Sequence, residues 1–284
     1  MKRSLARIER RAALTVGGSI VAGFVGARLF RRPSTPVGVI GGAPSEVPAE
    51  HVDLLDWRFP NARFGELRCV VVVPKPFVGR LPLLVALHGR GETVDARTGA
   101  FSWVERYGLI DALVALRRPG LVPSTFASSA RADRLEVLDR QLTRAPLAGV
   151  VVACPSIPSG LAGAAYKDYA TFLAEQLLPK LRAEAPVLGT ARSTGIDGVS
   201  LGGITSLRIA MMRPDLFGAV AAMQPAILDD PPEGHIRDPI VAHLGGRPLR
   251  LLTTDDDVYR SSVVATSEWL RTRNVAHELL VTPG

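Results

Sequence analysis

The stretch that most constrains the fold is residues 198–202, Gly-Val-Ser-Leu-Gly, which has the pattern G-x-S-x-G. A short β-prone run ends at Ile196 before it, and residues 204–212 after it have helical spacing. Strand, sharp turn and helix in this order is the setting of a nucleophile elbow. The turn strains the central residue and leaves no room beside it for a Cβ atom, which explains Gly198 and Gly202. The pattern predicts a nucleophilic Ser200; a glycine-rich turn with an idle serine is the alternative.

A second motif follows the apolar run 81–87, where the chain reads His-Gly-Arg-Gly at 88–91. A strand that leads into this pattern is typical of the loop that supplies backbone N–H groups to an oxyanion. We expect the amide of Arg90 to be one donor and the amide of Leu201 to be the other. His88 itself is expected to be structural, because it lies on the wrong loop for a base.

Strand-like and helix-like segments alternate throughout residues 52–281, which predicts an α/β fold. Several strand-like runs are apolar on both faces, as in a parallel sheet covered by helices. Residues 226–247 are predicted to be a Pro- and Asp-rich insertion, and residues 124–147 to be helical in part. The predicted strands are 52–57, 67–73, 81–87, 150–155, the run ending at Ile196, 218–223, 249–252 and 277–281, and the predicted helices include 101–118, 166–181, 204–212 and 261–273.

The net charge of +7 comes from the amino terminus of the chain. Residues 1–32 contain eight Lys or Arg residues and one acidic residue, whereas the rest of the chain contains 26 residues of each sign. Since no excess of basic residues remains in the part expected to fold, the composition does not indicate a nucleic-acid-binding protein.

Residues 1–32 have the features of a twin-arginine export signal. Arg10 and Arg11 precede a moderately apolar run to Ala27, which is short for a membrane span of about 20 residues. We expect an exported or envelope-associated bacterial protein whose leader is either a cleaved signal peptide or an N-terminal anchor that would allow membrane association; a mobile basic terminus is the alternative. The Pro- and Gly-rich residues 33–50 suit a linker, and residues 51–284 form the expected single domain.

The two cysteines, Cys69 and Cys154, lie in or at the end of apolar strand-like runs. They are expected to be buried small hydrophobic residues, although an exported protein could pair them in a disulfide. The chain contains no C-x-x-C and no H-E-x-x-H pattern, so no metal or cofactor is expected.

Together these motifs resemble the α/β-hydrolase fold, and more narrowly the putative-esterase group that includes esterase D, feruloyl esterases and mycolyltransferases. The resemblance spans residues 52–284 and implies a three-layer sandwich with a mostly parallel central sheet. The pieces that carry it are L-H-G-R-G at 87–91, Q-L-L-P at 176–179, G-V-S-L-G-G at 198–203, P-D-L-F-G-A-V at 214–220 and the Asp cluster at 255–257.

The resemblance implies a triad in the order Ser, acid, His along the chain. It puts the acid in the loop after a late strand, here residues 255–257. Asp257 is favoured because an aromatic residue, Tyr259, follows two positions later, and Asp256 is the second choice. The remaining Asp residues of the cluster are expected to serve the turn or the N-cap of the following helix.

The triad histidine is the part of the pattern that this sequence does not match. The family has it on the loop after the last strand, but no histidine follows residues 277–281. His277 lies at the entry of that strand, about five residues of ~3.3 Å rise from the end where the site is expected, and His235 or His243 would have to reach in from the insertion. We therefore expect a domain that is truncated at its carboxyl end, or a shortened natural protein that has lost the base.

The prediction from sequence is a serine hydrolase of the carboxylesterase type acting on a small-molecule or lipid ester. Loss of a triad member typically lowers the rate by about 10⁴- to 10⁶-fold, so the activity of this chain depends on the base. The alternatives are an exported acyltransferase and a catalytically silent hydrolase-fold protein.

Overall fold

The structure, a computed structural model, describes residues 50–122, 132–227 and 234–283. The predicted leader, 1–32, and the predicted linker up to residue 49 lie outside the described residues.

An eight-stranded sheet forms the centre of the molecule in the order β1-β2-β4-β3-β5-β6-β7-β8. The first two strands run antiparallel to their neighbours, and the six from β4 to β8 across the sheet are parallel. This is the mostly parallel sheet expected of the α/β-hydrolase fold. The strands are β1 Val52–Asn61, β2 Gly65–Pro74, β3 Leu83–Leu87, β4 Val151–Pro155, β5 Thr194–Gly198, β6 Ala219–Met223, β7 Leu249–Thr254 and β8 Glu278–Thr282.

Helices cover both faces of the sheet, so that the strands bury apolar side chains on each side. One face packs against α4, α5, α6, α7 and α8, and the other packs against α1, α2 and α3. The three-layer sandwich implied by the family resemblance is therefore confirmed. The helices are α1 Ala96–Glu105, α2 Leu109–Ala115, α3 Ala132–Arg144, α4 Ala165–Phe172, α5 Leu178–Glu184, α6 Leu201–Met212, α7 Gly234–Leu244 and α8 Arg260–Thr272.

One helical prediction needs correction. Residues 101–118 do not form one helix, because Gly108 adopts φ 68° and separates α1 from α2. The predicted insertion 226–247 also contains a helix that the sequence did not indicate, since α7 spans 11 residues of it with Pro239 in its interior.

The predicted helix 166–181 is present, but it is interrupted by a π-helical segment at Leu173–Leu177. Pro179 lies in the first turn of α5, immediately after that segment. Because proline has no N–H to donate, the regular hydrogen-bond ladder cannot continue through this position.

The two cysteines are both buried and both free. Cys69 on β2 faces the core that contains α6, whereas Cys154 on β4 faces the core on the opposite side of the sheet. Their side chains therefore point away from each other, and the structure contains no disulfide between them. Burial raises the pKa of both thiols, so both are held in the neutral form.

Candidate active site

Ser200 lies in the turn between β5 and α6, with φ 55° and ψ −113°. A positive φ is costly for a residue with a side chain, and the surrounding backbone holds it in place. The N–H of Ser200 donates to Met223 O at 2.9 Å, and its carbonyl accepts from Ala226 N–H at 3.1 Å. The strand, sharp turn and helix predicted from the sequence are all present, and Ser200 itself is half-buried.

The glycines on either side of Ser200 are required by the closeness of backbone atoms. A Cβ atom on Gly198 would lie 2.5 Å from the carbonyl carbon of Gly202. A Cβ atom on Gly202 would lie 2.6 Å from His88 O, and closer still to Leu87 O. Real Cβ atoms do not approach backbone this closely, so the elbow tolerates only glycine at these positions.

The loop after β3 lies directly beside the serine. The notional Cβ of Gly89 would be 3.9 Å from the Cβ of Ser200. Arg90 begins a short 3-10 turn, Arg90–Glu92, and Leu201 is the first residue of α6. First-turn N–H groups have no acceptor within their own helix. No hydrogen bond among the described residues occupies the N–H of Arg90 or of Leu201, so both predicted oxyanion donors are free.

His88 is fully buried and both of its ring nitrogens are occupied by backbone groups. Its Nε2 accepts from Ile157 N–H at 2.7 Å, so its Nδ1 carries the proton and donates to Gly89 O at 2.8 Å. Burial lowers the pKa of His88, which keeps it neutral. The ring therefore holds the loop that carries Arg90, which agrees with the structural role expected for it.

The predicted acid loop follows β7, at the same edge of the sheet as the serine. Asp257 is half-buried, and its carboxylate accepts from Thr253 Oγ1 at 2.7 Å and from Tyr259 N–H at 3.1 Å. Asp256 is exposed and accepts from Thr254 Oγ1 at 2.8 Å. Asp257 is thus more buried than Asp256 and its carboxylate is held by one more hydrogen bond.

Gln224 joins the serine turn to the acid loop, a role that sequence reasoning missed. It follows β6, has φ 42° and is almost completely buried. Its N–H donates to Leu252 O at 2.6 Å, and its Nε2 donates to Thr254 Oγ1 at 3.1 Å. The signal that could have found it is its place at the carboxyl end of a parallel strand, where ligand sites form in α/β sheets.

No histidine is brought against Ser200 in the described part of the chain. His277 precedes β8, at the amino end of the parallel strands, and its ring contacts Ser267 Oγ and Val275 O. His243 is exposed in the last turn of α7. His235 lies at the start of α7, and its side chain is outside the described residues.

A buried polar cluster that the sequence did not indicate lies on the other side of Gly89. The notional Cβ of this glycine would be 3.2 Å from Glu92 Oε2 and 3.6 Å from the Tyr107 hydroxyl. Glu92 and Tyr107 are both buried, and Arg106 approaches Glu92 at 3.5 Å. Glu92 could have been singled out as a carboxylate two residues after Arg90, but nothing in the sequence connects Tyr107 to this loop.

A second buried acid, Asp197, lies on β5 three residues before Ser200. Burial raises its pKa to about 7, and its Oδ2 has no hydrogen-bond partner among the described residues. Its Oδ1 accepts from Gly198 N–H at 2.7 Å, inside the elbow.

Neither a metal site nor a membrane span is found in the described ranges. No group of three or more His, Cys, Asp or Glu residues there could hold a metal ion. No helix within these ranges is long and apolar enough to cross a bilayer.

The fold is shared with solved structures of known proteins. Three solved structures illustrate this. A ferulic acid esterase is 18% identical, with a TM-score of 0.59 over 82% of this chain and 90% of that one. The S-formylglutathione hydrolase of Staphylococcus aureus is 14% identical, with a TM-score of 0.55 over 83% and 90%. A ferulic acid esterase from Anaeromyces mucronatus is 19% identical, with a TM-score of 0.56 over 90% and 87%.

No curated protein matches the chain by sequence. The sequence model of the putative esterase family matches residues 160–278, which contain Ser200 and the acid loop. This match supports ester hydrolysis as the general kind of chemistry. The chain therefore has the α/β-hydrolase fold and, over residues 160–278, it resembles the putative esterase family.

Proposed function

We propose that this protein is a serine hydrolase of the carboxylesterase type, with Ser200 as the nucleophile. The observation that carries the proposal is the strained φ of Ser200 at a turn whose two glycines admit no side chain. Strain of this kind persists only where the surrounding structure enforces it, and it clusters at functional sites. Here it presents a hydroxyl at the amino end of α6, where helix amides favour negative charge.

In the proposed reaction Ser200 Oγ attacks the ester carbonyl, and the negative charge that develops on the carbonyl oxygen is stabilised by two backbone N–H groups. Arg90 and Leu201 supply them, because both are free and both adjoin the serine turn. The base takes the Ser200 proton and passes it to the departing alcohol; it then takes a proton from water, which attacks the acyl-enzyme, releases the acid and lets the base return a proton to Ser200. A single donor of this kind typically contributes about 10²- to 10³-fold to the rate.

The acid of the proposed site is Asp257, because its carboxylate is half-buried and is held by two hydrogen bonds. Each carboxylate oxygen retains a lone pair for the N–H of a base. His235 is the candidate base whose side chain the structure does not describe. A small-molecule or lipid ester is the proposed substrate class.

A catalytically silent hydrolase-fold protein is the second candidate function. The observation that favours it is that no histidine in the described ranges contacts Ser200. Such a protein would keep the serine turn and the oxyanion donors but would turn over esters only at background rates.

Hydrolysis of a short-chain p-nitrophenyl ester by the full chain separates these candidates. Turnover that disappears in Ser200→Ala supports the esterase, and His235→Ala should then lower it as well. Equal background turnover in the wild type and in Ser200→Ala would contradict the esterase and favour the silent protein.

A further inference from the structure

A three-membered polar cluster surrounds the backbone of Gly89. Around the place where a Cβ would be, Glu92 Oε2 lies at 3.2 Å, the Tyr107 hydroxyl at 3.6 Å and Ser200 Cβ at 3.9 Å. Glu92 belongs to the same short turn as Arg90, whereas Tyr107 comes from the connection between α1 and α2. Glu92 therefore contacts the proposed oxyanion loop from within its own turn, and Tyr107 contacts it from a separate element.

The polar groups of this cluster have fixed donor and acceptor roles. A phenol has one proton and a carboxylate only accepts, so towards Glu92 the Tyr107 hydroxyl can only be the donor, which leaves the phenol oxygen to accept from Gly89 N–H. Burial is the main cause that raises the pKa of Tyr107 far above its ordinary value, and the charge of Glu92 raises it further. The phenol therefore keeps its proton and remains a donor.

The Tyr107 ring is also fixed by packing. It is 2% exposed, and Trp103 meets it edge to face with the ring centroids 5.1 Å apart. Its backbone N–H donates to Ser102 O at 3.0 Å. Glu92 is held in turn by Arg106, whose Nη1 lies 3.5 Å from its carboxylate. Buried polar groups are costly when unpaired, so these contacts favour a single arrangement.

We propose that Glu92 and Tyr107 form a brace that fixes the Gly89–Arg90 turn, and that both are positioning residues for the Arg90 oxyanion donor. This inference rests on the proposed function, because it gives the brace a role in the same reaction. The carbonyl side of the turn is already held, because Gly89 O accepts from His88 and Arg90 O accepts from Thr93. The brace meets the other side of the turn, where Gly89 offers no side chain. An oxyanion donor acts only when it is held in place before the reaction.

The first test compares Tyr107→Phe with a matched control, Tyr169→Phe. Tyr169 is also fully buried and donates its hydroxyl to a backbone carbonyl, that of Ser156 at 3.0 Å. Both variants lose one buried phenol, but only Tyr107 contacts Gly89. Hydrogen exchange of the Gly89 amide in the full chain should be about tenfold faster in Tyr107→Phe, the ratio expected for one net hydrogen bond, and unchanged in Tyr169→Phe. Equal exchange in the two variants would overturn the brace.

The second test measures the rate at which a fluorophosphonate probe labels Ser200. Tyr107→Phe and Glu92→Leu should label about tenfold more slowly than the wild type, a part of the loss expected when a donor is removed. Glu92→Gln still offers an acceptor to the Tyr107 hydroxyl and should restore most of the rate. Tyr169→Phe should label at the wild-type rate.

The two tests separate failure of the brace from failure of the proposed function. If the wild type labels at Ser200 and Tyr107→Phe labels equally fast, the positioning role is overturned while the esterase proposal stands. If the wild type is not labelled at Ser200, the esterase proposal fails, and the exchange of the Gly89 amide still decides whether the brace exists.

Discussion

The serine side and the acid side of the candidate site are built in different ways. On the serine side, backbone atoms approach so closely that a Cβ on Gly202 would lie 2.6 Å from His88 O. On the acid side, the loop at 255–257 is held by hydroxyl groups, with Thr253 bound to Asp257 and Thr254 bound to Asp256. Gln224 links the two sides through its bond to Thr254.

The difference shows that steric exclusion restricts the choice of residue type more strongly than hydrogen bonding does. Exclusion by backbone atoms permits one residue type, glycine, and fixes the geometry of Ser200. Hydrogen bonds contribute only about 1 kcal/mol each, and Asp256 and Asp257 each have a threonine hydroxyl as a partner. These bonds therefore do not by themselves select one of the two carboxylates. Substitution of the elbow glycines should therefore mainly change stability, and substitution of the acid-loop carboxylates should mainly change activity.

The largest expected effect is on the acid side, where two variants test which carboxylate is the triad acid. Asp257→Asn should lower ester turnover by about 10⁴-fold, as loss of a triad carboxylate does, because an amide cannot orient and stabilise a charged base. Asp256→Asn is the matched control and should lower turnover less than about tenfold, since its side chain is exposed. A larger loss in Asp256→Asn would reverse the assignment, and no loss in either would remove this loop from the mechanism.

The next effect tests steric exclusion on the serine side. Gly202→Ala should destabilise the protein by about 4 kcal/mol or more in urea unfolding, because its methyl group would meet the carbonyl groups of Leu87 and His88. Gly189→Ala is the control, since a Cβ there meets nothing within 4 Å. Comparable stabilities for the two variants would contradict the account of the elbow.

The smallest effect is a pH dependence of stability caused by Asp197. Its folded pKa of about 7 is well above the ordinary value of 3.8, so the folded state keeps a proton that the unfolded state loses. Stability should therefore fall as the pH rises from about 4 to 7. Asp197→Asn cannot ionise and should match the wild type near pH 4 but exceed it by about 3 kcal/mol at pH 8.

Urea unfolding at both pH values measures this, with Asp215→Asn as the control. Arg213 lowers the pKa of the exposed Asp215, so that variant should lose a little stability at the higher pH instead of gaining it. A gain in Asp197→Asn that is equal at pH 4 and pH 8 would show that Asp197 does not titrate in this range.

The parts of the fold that were predictable from sequence depend on local chemistry. Gly198 and Gly202 flank a serine between a strand and a helix, and each requirement is visible within a few residues. The apolar run before His88 likewise predicts a buried strand and the loop after it. The order of the strands in the sheet was available only from the family resemblance, because pairing between distant segments leaves no local pattern.

The rest of the site depends on contacts between distant segments. Tyr107 meets Gly89 only because α1 and α2 fold back over β3, and Gln224 reaches Thr254 only because β6 and β7 are neighbours. The family resemblance implied the acid loop, which stays a prediction, and the choice between Asp256 and Asp257 depends on burial. The leader at 1–32 lies outside the described residues and stays a prediction.

The central claim is that Ser200 is an activated nucleophile. The most direct test treats the full chain with a fluorophosphonate probe and maps the modified residue by peptide mass spectrometry. The account predicts one adduct, on Ser200, that is absent from Ser200→Ala and from protein unfolded in urea. Labelling that persists in Ser200→Ala, or a folded wild type that stays unlabelled, would contradict it.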